Sequence, residues 1–209
     1  MHIELAEMLR CPEPHREGHL VVSTGEMLGR MVRSGILGCP ICRREFTIVK
    51  GVVNFSGSEQ RDGGDVASPR ASHPASRIPH PVDPETLQAL LDLSGPGGYV
   101  VLVGAAARHA IGLAGMMGGI HFVAINAPDD VEELPMLSLL ECETMIPLRQ
   151  TMARAVVVGR DRLDQAWLSE ARRVLLPGRR LVVESDHAPP TVGITQVAQG
   201  QGLFVGERR

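Results

Sequence analysis

The sequence predicts an α/β fold, a doubly wound parallel sheet preceded by a small metal-stapled α+β module. Three observations carry this. Apolar runs recur through the second half of the chain, with helical stretches between them. Three of the four cysteines lie near the start at metal-ligand spacing. Between the two regions, residues 57–82 are rich in Ser, Gly, Pro and Ala and hold almost no large apolar side chain.

The elements follow in order. Residues 1–56 form the first unit. Leu5, Met8 and Leu9 share helical spacing, so a short helix leads into the first cysteine. His19-Leu-Val-Val and Phe46-Thr-Ile-Val read as short strands. A unit this small buries too little apolar surface to fold alone, so a bound ion supplies much of its folding energy. Residues 57–82 read as a flexible linker.

Residues 83–209 form the second unit. Pro84 to Leu93 is helical, with Leu87, Leu90 and Leu91 on one face, and Gly95-Pro-Gly-Gly98 breaks the chain. Tyr99–Val103, Ile120–Ile125, Ala155–Val158 and Arg180–Val183 read as buried parallel strands, and Leu163–Leu175 as a helix among them. Trp167 on that helix packs onto the sheet, and Cys142 reads as a core thiol.

Composition narrows the function. A chain of 209 residues allows one or two domains. Aromatic content of 3% argues against a base-stacking platform, and a net charge of −3 gives no general attraction to phosphate backbones. The cysteine pattern fits a reducing compartment. The start, Met1-His-Ile-Glu-Leu-Ala-Glu7, has no basic region followed by an apolar run, and no apolar stretch reaches the roughly 18–20 residues of a membrane helix. A cytoplasmic protein without a membrane span is the expectation.

The metal pattern is Cys11-Pro-Glu-Pro-His15 followed by Cys39-Pro-Ile-Cys42. A C-x-x-C turn lets both sulfurs face one ion, and a second knuckle closes a tetrahedron. Cys11, Cys39 and Cys42 are the expected thiolate ligands. His15 is the expected fourth ligand, with His19 as its rival. Four protein ligands leave no open position for water, so the site is structural. Zinc is the expected ion; a thiolate-rich tetrahedron also accepts iron.

Residues 3–55 resemble the small zinc-binding activator family that partners tRNA, rRNA and release-factor methyltransferases. The matching segments are Ile3–Pro12, Gly38–Ile48 and Lys50–Phe55. The family's first knuckle usually carries a second Cys where this chain has His15. The resemblance implies a unit that covers hydrophobic surface on a methyltransferase. Residues 85–205 resemble a class I S-adenosylmethionine-dependent methyltransferase, with its Rossmann-like sheet. Tyr99–Ala110 stands at the first strand and glycine-rich loop, Glu143–Val158 runs through the fourth strand, and Ala171–Val183 covers a helix, a Pro-Gly turn and the fifth strand. The terminal hairpin of the family looks shortened.

That resemblance places S-adenosylmethionine against Gly104, Ala106, Asn126 and Asp129. The chain departs from the family at these positions. Gly104 is followed by three alanines, whose methyl groups occupy space where a backbone must approach a ligand. Val101, Leu102 and Val103 replace the acid before the loop, and Asn126 replaces the acid that holds the ribose, with Asp129 and Asp130 arriving late. His109 reads as a surface or capping group of the first helix, Asp161 and Asp164 as helix-start residues, and His187 as a residue at the carboxyl edge. Arg172, Arg173, Arg179 and Arg180 form a basic cluster, read mainly as a solvated face.

Three functions remain open. The favoured one is a non-catalytic interaction subunit, a pseudoenzyme that docks on a protein partner or larger complex. The second is an active methyltransferase with an activator-like zinc unit fused in cis. The third is an RNA- or ribosome-associated factor using the arginines.

Overall fold

The computed structural model describes residues 1–56, 82–187 and 190–209. The expected linker lies almost wholly outside them. The first unit opens with a 3-10 helix over Ile3–Met8. It continues through β1 (Val21–Thr24), β2 (Met27–Leu28), β3 (Met31–Val32), β4 (Gly35–Gly38), β5 (Glu45–Val49) and β6 (Val52–Asn54). The second holds α1 (Pro84–Leu91), β7 (Tyr99–Val103), a 3-10 turn over Gly104–His109, α2 (Ala110–Met116), β8 (His121–Ile125), β9 (Leu137–Glu141) and β10 (Ala153–Val158). It ends with α3 (Gln165–Val174), β11 (Leu175–Val183), β12 (Ile194–Gly200) and β13 (Leu203–Arg208).

The main sheet has eleven strands in the order β1-β4-β5-β6-β9-β8-β7-β10-β11-β13-β12. Counted from β7, the second unit runs 3-2-1-4-5-7-6. Its first five strands are parallel and follow the order of the doubly wound fold. The predicted α/β class is therefore the observed one. β9 was not among the predicted strands. Leu137-Ser-Leu-Leu suits a helix in isolation, and only its place beside β8 makes it a strand.

The terminal hairpin is formed by β12 and β13, which pair from Ile194↔Arg208 to Gly200↔Leu203. Gln201 and Gly202, both at positive φ (54° and 79°), make the two-residue turn whose twist suits a hairpin.

The two units share this sheet. Val52, Val53 and Asn54 pair in parallel with Leu139, Leu140 and Glu141. A second seam joins the chain near the first knuckle to the segment before β10: Arg10 N–H donates to Pro147 O (3.1 Å) and Arg149 N–H to Met8 O (2.8 Å).

Parallel strands need cover on both faces. On one face, α1 and α2 bring Leu87, Leu91, Ala110 and Leu113 against Val100, Leu102, Phe122 and Ala124. On the other, the connections β8–β9 and β9–β10 contain no helix. There the first unit supplies Leu5, Leu9, Phe46 and Phe55, and α3 supplies Trp167, Leu168 and Ala171, over Val101, Val123, Ile125 and Val156. Asp164 caps α3, accepting from the N–H groups of Ala166 and Trp167. No helix among the described residues is long and apolar enough to cross a membrane.

Candidate functional site

The first candidate is the knuckle pair. Cys11 follows the 3-10 helix, held by the seam at Arg10. Cys39 and Cys42 sit in a turn closed by Cys39 N–H to Arg44 O (2.8 Å) and Arg43 N–H to Cys39 O (2.9 Å), with Arg43 in the left-handed region (φ 61°). The ligand atoms of Cys11, His15, Cys39 and Cys42 all lie within 4.8 Å of one another. The Cys11 and Cys42 sulfurs are 3.7 Å apart, and Cys39 Sγ is 3.4 Å from His15 Nε2. A tetrahedral ion with bonds of about 2.3 Å separates its sulfurs by about 3.8 Å, so the spacing fits zinc.

Two details orient the donors. His15 Nδ1 lies 2.7 Å from the Arg16 carbonyl. A carbonyl only accepts, so Nδ1 carries the proton and Nε2 turns its lone pair inward. Burial alone would raise the Cys39 thiol, but backbone N–H groups of Cys42 and Ile41 and its neighbouring thiols bring it down to about 7. Burial raises Cys11 to about 12 as a thiol, a penalty that a bound cation removes. His19, the rival ligand, lines a groove of about 590 Å³ with Ile3, Met8, Leu20 and Met152 instead.

The second candidate is the crevice at the carboxyl edge of the sheet, where doubly wound folds bind ligands. Gly104 follows β7 at φ 61°, and a methyl group there would lie 2.5 Å from Asp161 Oδ2. Ala105 N–H donates to Asp161 Oδ1 at 2.8 Å. Gly159 lies so close that a Cβ on it would be 2.7 Å from Ala106 N and 2.8 Å from Ala105 N. Ala106 is buried. The loop after β10 thus lies directly on the loop after β7.

Asn126, in the left-handed region at φ 52°, turns its amide to the backbone of Cys142. Its Nδ2 donates to Cys142 O (2.7 Å), and its Oδ1 accepts from Cys142 N–H (2.9 Å). Asp129 is exposed. Asp130 pairs with Arg108 (2.9 Å), whose hydrogen bonds hold its carboxyl below the usual range. His187 is exposed at the end of β11.

His109 departs from its expected place as a surface or capping group. Its Nε2 lies 2.6 Å from Glu184 Oε1, with both side chains at or below 10% exposure. Glu184 was missed. Its one legible signal is an acid placed directly after the apolar run Leu181-Val-Val183, which puts a carboxylate at the carboxyl edge.

No protein-family model matches this sequence, and no curated protein matches it. Solved structures do resemble it. A SAM dependent methyltransferase from Aquifex aeolicus is 22% identical, over 60% of this chain and 88% of its own, with TM-score 0.45. The complex of a Haloferax volcanii methyltransferase activator with a chain assigned as a methyltransferase is 18% identical, over 48% of this chain and 50% of its own, with TM-score 0.39. A tRNA methyltransferase from Aquifex aeolicus is 11% identical, over 65% and 71%, with TM-score 0.48. With TM-scores below 0.5, the fold assignment rests on the strand order itself.

Proposed function

We propose that this chain is a non-catalytic, zinc-stapled, methyltransferase-like interaction subunit. Its units are a zinc-binding unit over residues 1–56 and a Rossmann-like unit over 83–209. In this reading Cys11, His15, Cys39 and Cys42 hold a structural Zn2+, which fixes the knuckles and takes no part in chemistry. The observation that carries the proposal is Asp161. Its carboxylate sits on the Ala105 amide, at the loop where a nucleotide cofactor would meet the backbone. With Gly159 against Ala105 and Ala106, the chain fills that place with its own atoms. Asn126, spent on Cys142, supports the same reading. Exposed Val21, Leu28, Ile36 and Val49 on the first unit offer apolar surface to a protein partner.

Isothermal titration of the zinc-loaded chain with S-adenosylmethionine and S-adenosylhomocysteine tests this. The expected result is no binding at millimolar ligand. Micromolar binding would sink the proposal and favour an active methyltransferase whose activator-like unit is fused in cis. That second reading draws on the β6–β9 ladder and on the buried His109–Glu184 pair at the carboxyl edge.

A further inference from the structure

The arginine cluster divides once it is folded. Arg173 is clamped by Glu170 (2.7 Å) and by the carbonyls of Ile146 and Leu148. Arg180 pairs with Asp92 (2.8 Å) and reaches Leu90 O. Arg172 makes no hydrogen bond or ion pair among the described residues, and its Nε is shielded from water without an acceptor. Arg208, which the sequence did not single out, shares that state. Its Nη1 donates to the carbonyls of Arg173 and Leu175 at the end of α3, but its Nε is buried without a partner, and among the described residues no carboxylate pairs with it.

We propose that Arg172 and Arg208 form a two-guanidinium site for a phosphate group bound as a dianion. α3 runs back from the carboxyl edge, so its last turn, with Arg172, ends at the amino edge of the sheet. β13 is antiparallel to β11, and its end, with Arg208 opposite Ile194, lies at that same edge. The site is therefore on the opposite side of the sheet from the crevice filled by Asp161, and it stands independently of the proposed function.

Three observations support it. First, the two cations are neighbours: Gly193 lies against the Arg172 guanidinium, the next residue, Ile194, pairs with Arg208, and burial, then the Arg172 charge, lowers the pKa of Arg208. Second, among the described residues neither has a carboxylate to offset its charge, which leaves two positive charges that one doubly charged anion can balance. Third, the backbone encloses Arg172 on one side. Gly193, at φ +76°, lies so close that a Cβ there would be 2.6 Å from Arg172 Nε. Only a glycine admits the guanidinium this closely, and a planar fork suits oxyanion geometry better than an ammonium does.

The test titrates inorganic phosphate into the full zinc-loaded chain at constant ionic strength. Saturable binding, weakened roughly tenfold or more in Arg172→Gln, is the expected result. The variant's thermal midpoint in chloride should match the parent's, which separates lost binding from lost folding. Arg172→Lys keeps the charge without the fork and should recover only part of the affinity. Unsaturable binding, or equal binding by the parent and Arg172→Gln, overturns the site. Equal binding of acetate would overturn the dianion assignment. So would a single-stranded RNA oligonucleotide that binds through Arg172 more tightly than phosphate does, since each phosphodiester carries a single charge.

Discussion

The two faces of the parallel sheet are covered by different means. One face is covered by α1 and α2, which flank β7 in the chain and meet its apolar side chains directly. The other is covered partly by α3 and otherwise by a unit that lies before the sheet in sequence and carries the cysteine cluster. The first face depends on local helices. The second depends on a segment remote in sequence that also carries the Cys–His cluster. The difference teaches that cover for the central strands comes from two sources, one local in the chain and one brought from far away.

Removing the cation breaks this comparison most severely. In Cys39→Ser/Cys42→Ser, or under chelation, the first unit should lose a contribution on the order of 10 kcal/mol. Amides of β8 and β9 should then exchange much faster, while those of α2 change less. Equal protection of β9 with and without the ion would show that the first unit is not needed as cover.

Single core deletions sharpen the contrast. Phe46→Ala and Phe55→Ala, two rings whose centroids lie 4.9 Å apart, should each lose about 3–5 kcal/mol. Their chemical denaturation should also depend on zinc more steeply than the parent's. Leu113→Ala on the opposite face should lose about 2–5 kcal/mol with no change in zinc dependence.

The seam between the units carries a pH signature. His121 is buried against Ser138 Oγ (2.9 Å), and its ring lies tilted against that of His2, with centroids 4.7 Å apart. Burial first, then the His2 ring and the N-terminal ammonium, lowers its pKa from 6.5 to about 4. Above pH 6.5 the ring is neutral folded or unfolded, and the full stability is present. As the pH falls from 6.5 to 4 only the unfolded chain takes up the proton, so stability drops by on the order of 3 kcal/mol. Urea denaturation of the parent and His121→Phe between pH 7.5 and 4 measures this; a parallel decline in both would reject the assignment.

The smallest expected effect is at α3. Asp164→Ala removes its cap and should lose about 1 kcal/mol, read as a small drop in thermal midpoint that does not depend on zinc.

Much of the sheet was legible because its strands announce themselves. Tyr99–Val103 was predicted with its observed limits, and the runs around β8, β10 and β11 were found with their ends displaced. The limits moved because strand ends are set by the partner strand, as at Ala153, which pairs with both Tyr99 and Leu175. β6 and β9 were not seen: β6 becomes a strand between β5 and β9, and β9 between β6 and β8. In the site, spacing alone nominated Cys11, His15, Cys39 and Cys42. The choice between His15 and His19 needed the path of the chain between Cys11 and β1.

The sequence by itself determined the fold class, the spacing of Cys11, His15, Cys39 and Cys42, and the apolar and alanine residues around Gly104. These follow from residue type and short-range spacing, which the chain carries before it folds. Only the tertiary structure decided what those residues meet: Asp161 on the Ala105 amide, Glu184 on His109, Asn126 on Cys142, Arg208 beside Arg172, and the first unit laid across the bare face of the sheet. Each joins positions far apart in the chain, and no local propensity encodes a contact whose partner is supplied by packing.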